Sequence, residues 1–435
     1  MGTPAMLRFW IVTIALLAMG TAARAQAPDP CPAGLPADTA CYTGRDQNGA
    51  FYLIAVPQDW NGTLLLYNRG GPSLGLPGPV GAAGLGPHFL ITLGEGFALG
   101  ATSYRRGGWA VSEGAEDTEN LRRIFSDRVA FPSRTVAYGT SYGGIVTSIL
   151  AEKYGTYFDA AMPLCNLGAG TRRHSYLYID LRTIFQYYCQ NHPRPEETQY
   201  DLYLGLAPGT TMTQADLTQR LNECTGINLP PAQRSDEQRR NLANILGVTQ
   251  IPQGGLAGQL SDATFHLREI SQVEAAGGNA LPNADVVYRG SDDDEALNLG
   301  VQRYISSEDA VALLSADADP TGLVSIPIIG MHAVNDPVLF VEQESAYRDV
   351  FEQAGTLDYL FQTYTTAGGH CGFTTSEFEA VFHATLDWVE TGIRPTQEGI
   401  AASCADFQAI YGDGCRFDPN YLPAPYESRV PARSP

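Results

Sequence analysis

Short runs rich in β-branched and aromatic residues alternate along this chain with longer stretches whose apolar residues recur at helical spacing. Residues 51–56 and 62–68 read as two strands, parted by a turn that runs from Pro57 to Gly62. Residues 97–103 form the next expected strand, and an acid-rich helix is predicted near 116–128. Residues 134–138 then lead through a glycine-rich turn into a helix in which Ile145, Val146, Ile149 and Leu150 share a face and which Gly155 ends. Another strand, 158–164, stops at Cys165.

From about 166 to 321 the pattern changes to helix-like aromatic and polar stretches with Pro-rich breaks such as residues 228–231 and 252–255. Strand signals return only at 325–332. A helix near 341–354, a strand at 359–364 and a final helix near 376–391 follow. In that last helix Phe378, Val381, Phe382 and Val389 make one apolar face, and Thr374 with Glu377 forms a capping box ahead of it. Strands alternating with helices predict an α/β fold with a mostly parallel, doubly wound sheet. Its core is expected from 26–165 and 322–422, with 166–321 inserted and 423–435 as a loose tail.

The first residues change the cellular picture. Arg8 precedes an apolar run, 9–19, and small residues stand at Ala23 and Ala25, so 1–25 reads as a secretory signal peptide too short for a membrane span. The remaining chain, about 410 residues, exceeds the usual single-domain size, in keeping with a core plus an insertion. A net charge of −20 argues against nucleic acid or an anionic membrane as partner. Eight cysteines in an exported protein imply disulfides, although about a hundred pairings exist. The sequence-local pairs Cys31–Cys41 and Cys404–Cys415, with Cys189–Cys224 in the middle, leave Cys165 and Cys371. No C-x-x-C or H-x-x-x-H spacing supports a metal, and neither metal nor cofactor is expected. The run Ser291 to Glu295 suggests a helix start rather than a calcium loop.

The chemistry gathers at three places. Gly139-Thr140-Ser141-Tyr142-Gly143 fits G-x-S-x-G, a strained strand-to-helix turn that exposes a serine hydroxyl; the alternative is a serine that merely caps a helix. A serine nucleophile needs a base and an acid to orient it. His370 stands in Gly368-Gly369-His370-Cys371-Gly372 after the last strand, whereas the other six histidines fall in strands, helices or polar loops. Asp336 follows the strand 325–332; its plain reading is a turn aspartate before Pro337. Yet the order Ser141, Asp336, His370, each at a strand's C-terminal end, is the order of one particular fold.

On these residues the chain resembles the α/β-hydrolase-fold serine hydrolases, over roughly 51–165 and 325–392. The resemblance implies Ser141 as nucleophile, His370 as general base and acid, and Asp336 as the carboxylate that holds the imidazole. It also implies an oxyanion hole from the Tyr142 N–H and from Gly70 or Gly71 in Asn68-Arg69-Gly70-Gly71-Pro72, where arginine replaces the usual histidine of an H-G-G motif. His370-Cys371 is similar to the tannase and feruloyl esterase branch, but Thr140 stands where that branch has a cysteine, so Cys165 is the expected partner of Cys371. The insertion, about 155 residues, is then a largely helical lid. Tyr176, Tyr178, Phe185, Tyr187 and Tyr188 near its start, beside Arg172, Arg173 and His174, are lid core or, if they line the cleft, favour a bulky or aromatic ester. The expected function is a secreted carboxylic ester hydrolase acting on a small-molecule or polymeric ester. A prolyl-aminopeptidase-like peptidase is the alternative, through the likeness of residues 69–72 to its H-G-G-P-G loop; a non-catalytic binding protein is the third reading.

Overall fold

The central apolar runs become the middle of a sheet because both their faces are covered. The computed structural model describes residue 2 and residues 27–433, so the signal-peptide reading lies outside the described residues. The strands are β1 (Ala40–Arg45), β2 (Phe51–Val56), β3 (Thr63–Asn68), β4 (Ala98–Thr102), β5 (Arg134–Thr140), β6 (Ala160–Leu164), β7 (Ile328–Ala333) and β8 (Leu360–Thr365). They form one eight-stranded sheet in the order β1-β2-β4-β3-β5-β6-β7-β8. β2 is antiparallel to both its neighbours, and all pairs from β4 to β8 are parallel.

Helices α1 (Phe89–Gly94), α2 (Val111–Arg128), α3 (Tyr142–Tyr154), α4 (Gly170–Cys189), α5 (Gln214–Thr225), α6 (Asp236–Thr249), α7 (Leu256–Ser261), α8 (Asp294–Gly300), α9 (Glu308–Ala318), α10 (Gln343–Ala354), α11 (Thr375–Thr391) and α12 (Gln397–Tyr411) surround it. The period of two sorts the strand residues between two cores. Ile54, Leu64, Leu66 and Ala137 pack with Val146 and Ile149 of α3 on one side. Leu53, Leu65, Val136 and Ile329 pack with Phe378, Val381 and Phe382 of α11 on the other. The capping box that Thr374 and Glu377 were expected to make starts α11.

Residues 166–321 join β6 to β7 and hold α4 to α9, with two π-helical turns, Asp262–His266 and Glu269–Glu274. Tyr176, Tyr178 and Phe185 of α4 are buried in the core. The acidic run is a helix start: Asp293 caps α8, and Asp294 accepts from the amide and hydroxyl of Ser291. Four disulfides form, Cys31–Cys41, Cys165–Cys371, Cys189–Cys224 and Cys404–Cys415, and no cysteine is free among the described residues. No helix among the described residues is long and apolar enough to cross a membrane.

The expectation of a loose tail over 423–435 is corrected for the described residues, 423–433. Tyr426 and Val430 are buried, and the Tyr426 hydroxyl donates to Arg173 O at 2.7 Å. Arg433, fully enclosed, pairs with Asp180 of α4 and lies 4.3 Å over the Tyr176 ring. Proline-rich sequence gave no periodic signal there, but a buried ion pair holds the segment up to Arg433. Arg433→Ala leaves the buried Asp180 carboxylate without its ion-pair partner and with only the Tyr288 hydroxyl donating to it, at 2.6 Å, so it should destabilise the protein by about 3–5 kcal/mol, read from urea unfolding. An unchanged midpoint would restore the loose tail.

Candidate active site

β5 delivers Ser141 into a turn that ordinary backbone avoids: its φ is 58° and ψ −125°. Side chains would not allow that turn to close. A Cβ on Gly143 would stand 1.9 Å from Asn68 O, and one on Gly139 would stand 2.1 Å from Gly143 O. Glycines at these two places therefore let α3 begin directly against the end of β3. Asn68 then locks the junction, donating from Nδ2 to Thr147 Oγ1 at 2.9 Å and accepting from Thr118 Oγ1 at 2.6 Å.

Asp336 and His370 meet although 34 residues apart: His370 Nδ1 donates to Asp336 Oδ2 at 2.7 Å. The second carboxylate oxygen accepts from the Val338 and Leu339 amides at 2.8 and 3.0 Å. Such bonds orient the imidazole with Nε2 outward. The Cys165–Cys371 disulfide links this pair to the serine. Cys165 Sγ lies 3.3 Å from the Ser141 amide nitrogen, and Cys371 Sγ lies 3.5 Å from His370 Nε2. No hydrogen bond joins Ser141 Oγ to His370 Nε2 in this state; such bonds often tighten only with substrate bound.

The glycine loop after β3 also reaches the turn. A Cβ on Gly70 would stand 3.6 Å from Ser141 Cβ, so this residue lies against the serine. Tyr142 is the first residue of α3, which leaves its N–H without a partner inside the helix. Its ring is pinned from behind, the hydroxyl accepting from Ala110 N at 3.0 Å. The Arg69 side chain lies 4.9 Å over the Tyr104 ring and donates to Ser103 O at 2.8 Å. Among the described residues no carboxylate pairs with it. The segment 166–321 packs against this wall: Trp109 donates to Thr171 Oγ1 at 2.8 Å, and its ring stands 5.4 Å from that of Tyr142 and 5.8 Å from that of His266.

Sequence reasoning missed the support under Asp336. His332, set aside as structural, is fully buried in β7, with Nδ1 3.0 Å from Glu344 Oε1, Nε2 2.8 Å from Leu339 O, and Asp336 Oδ2 3.9 Å from Nε2. Both ring nitrogens face acceptors, so this site favours the imidazolium. Burial opposes that charge, but Glu344 and then Asp336 outweigh it and raise the His332 pKa above 6.5. Burial likewise opposes the Asp336 carboxylate, yet the hydrogen bond and charge of His370, then His332, hold it below its ordinary range. Only the i, i+4 spacing of His332 and Asp336 hinted at this in the sequence; Glu344 arrives from α10.

The two shifts act at opposite ends of the pH scale. Asp336 contributes stability that is present above its unfolded value and lost as pH falls through the depressed one. His332 contributes stability that is fully present below 6.5 and lost as pH rises through its raised value. Replacing His332 by Gln should therefore remove the alkaline decline in unfolding free energy that the parent protein shows above that pH. Parallel alkaline limbs in the two proteins, measured by urea unfolding, would mean that His332 is buried neutral.

No known protein-family profile matches the chain. The o-phthalyl amidase of Xanthobacter agilis is 22% identical to it over 409 residues, which cover 81% of this chain and 87% of that protein. Among solved structures, feruloyl esterase B from Aspergillus oryzae is similar at a TM-score of 0.45 and 14% identity, over 85% of this chain and 86% of that one. Candida antarctica lipase A in its closed state gives 0.43 and 12%, over 82% and 78%. Dipeptidyl peptidase 4 of Porphyromonas gingivalis gives 0.42 and 8% over 81% of this chain, which spans 35% of the peptidase. The fold is read from the sheet itself, with β3 and β4 exchanged in order, β2 antiparallel, and the serine, acid and histidine following β5, β7 and β8. With that sheet and those three turns, the chain is an α/β-hydrolase-fold protein.

Proposed function

We propose that this protein is an exported serine hydrolase that cleaves carboxylic esters through an acyl-enzyme on Ser141. The observation that carries the reading is the meeting of a strained serine turn with an Asp336–His370 pair across the Cys165–Cys371 disulfide. In the first half-reaction Ser141 Oγ attacks the ester carbonyl carbon while His370 Nε2 takes its proton. The carbonyl oxygen becomes an oxyanion held by the Tyr142 N–H and a donor from Gly70 or Gly71; one such donor is typically worth about a hundredfold or more in rate. The tetrahedral species collapses, the alcohol leaves with the proton from His370, and Asp336 keeps the imidazole in the required tautomer. Water activated by His370 then releases the acid and restores Ser141. Four disulfides suit export to an oxidising compartment, and residues 166–321, through the contacts of Trp109 with Thr171 and His266, serve as the lid.

A second reading, hydrolysis of an aryl amide, is favoured by two observations. The 22%-identical relative is named an o-phthalyl amidase, and Arg69 offers a guanidinium without a carboxylate partner on the loop that touches Ser141. An aromatic acyl group with a carboxylate beside its carbonyl would pair with that cation.

Ser141→Ala should fold as the parent does and lose hydrolysis by several orders of magnitude, and a fluorophosphonate should add to the parent at Ser141 alone, seen by intact mass and peptide mapping. Labelling elsewhere, or activity kept in Ser141→Ala, would remove the nucleophile. Against paired aryl esters and amides with and without an ortho carboxylate, Arg69→Met should raise KM about tenfold or more only for the carboxylate-bearing members. An equal change for both members of a pair would dismiss the amidase reading and leave the esterase.

A further inference from the structure

α11 carries a second constellation, away from Ser141. Glu379 and His383, one turn apart, face Glu95, which follows α1 just before β4. Because β4 and β5 both run parallel to β3, Glu95 belongs to the edge of the sheet opposite the end of β5 that bears the serine. His383 Nε2 lies 3.1 Å from Glu95 Oε2 and 3.6 Å from Glu379 Oε2. One ligand atom from each residue can be chosen so that all three lie within 4.8 Å of one another.

Glu379 is the telling member. Its side chain is 0% exposed, and neither carboxylate oxygen has a hydrogen-bond partner among the described residues, since His383 Nε2 at 3.6 Å is beyond that reach. Other buried acids show how this protein ordinarily compensates such a group. Glu377, on the same helix, takes Arg416 through Nη2 at 2.8 Å and accepts from the Thr374 and Arg416 amides, both at 2.9 Å. Glu344 has His332 and Gln362. A carboxylate buried without such partners is costly by several kcal/mol in its ionised form, so it either holds a proton or takes a cation in the proton's place.

We propose that Glu95, Glu379 and His383 bind a divalent transition-metal ion of the zinc type, and that this ion ties α11 to the end of α1. Carboxylate and imidazole are the donors zinc accepts. With bonds of about 2.0–2.2 Å in a tetrahedron, its donors stand about 3.3–3.6 Å apart; His383 Nε2 lies 3.1 and 3.6 Å from the two carboxylates, close to that spacing, and the three ligand atoms all lie within 4.8 Å of one another, so a small inward movement of the carboxylates completes the set. Two carboxylates balance the ion's charge. Calcium asks for six or more oxygens, which three side chains that include an imidazole do not supply. The side chains of His383 and Glu95 are 36% and 27% exposed while Glu379 forms the floor, which gives the ion a way in from solvent. Water takes the fourth position. Near by, Tyr411 of α12 reaches Glu95 Oε1 at 3.4 Å and the Phe407 ring stands 5.1 Å from that of His383, so the last helix closes around the same point. The spacing Glu-x-x-x-His was present in the sequence, but its third ligand lies 288 residues away and no metal motif announced it.

The test is a calorimetric titration of the purified, chelator-treated protein with ZnCl2, with thermal unfolding alongside. One ion per chain, bound in the micromolar range or tighter, and a rise in Tm of several degrees are expected, with no heat from MgCl2 or CaCl2. Glu379→Gln and His383→Asn should each weaken binding a hundredfold or more. His383 is partly exposed, so its variant keeps the test alive should the buried substitution fail to fold. Co2+, bound and then displaced by zinc, should show the visible absorption of a tetrahedral site. No binding at 100-fold excess of zinc over protein, or unaltered affinity in His383→Asn, would overturn the assignment. Neither measurement depends on whether Ser141 is catalytic.

Discussion

The contact on which this molecule's chemistry rests is the backbone meeting of α3 with the end of β3. Gly143 lies so close to Asn68 O that no larger residue fits. The approach turns Ser141 out of the end of β5, starts α3 at Tyr142, whose amide has no partner inside the helix, and brings the Gly70 loop against the serine. Asn68, Thr118 and Thr147 then hold the junction by hydrogen bonds inside the core, where their geometry is not loosened by water. A turn held this tightly can keep a strained serine backbone at small entropic cost.

Charge organises the other half of the site. Asp336 lies at the top of a buried ladder, with His370 on one oxygen, two amides on the other, and the His332–Glu344 pair beneath. Each member would be costly to bury alone, and together they satisfy one another. The disulfide between Cys165 and Cys371 ties the loop bearing His370 to the end of β6, next to the serine amide. Ser141 and His370 are thus held from two directions, by packing on one side and by a covalent bond on the other. Glu379 stands out against this economy, since neither of its oxygens accepts a hydrogen bond among the described residues.

Much of the sheet was legible because its signals are local. Residues 51–56 are β2 as read, and the strands leading to Ser141, Asp336 and His370 were found within a few residues of their true ends. β1 escaped notice because Ala40–Arg45 is a half-polar edge strand whose order owes much to the Cys31–Cys41 bond. α2 begins at Val111 rather than near 116, since its first turn is stabilised by Asp317, which accepts from the Ser112 amide at 2.9 Å. α12 buries only Ile400 and Cys404, too little for an apolar face to declare itself.

The sequence by itself determined the serine turn, the order of Ser141, Asp336 and His370 at strand ends, and a cysteine complement that pairs completely. All of these are written in short windows, where a period of two or 3.6 and the demands of a tight turn leave few choices. Tertiary structure alone decided which sulfur stands beside which catalytic candidate, that His332 supports Asp336, that Arg433 seals the chain against Asp180 253 residues earlier, and that Glu95 converges on α11. Those partners meet only when the sheet closes. Local periodicity says which face of an element is buried, and it carries no record of what distant side chain will be waiting there.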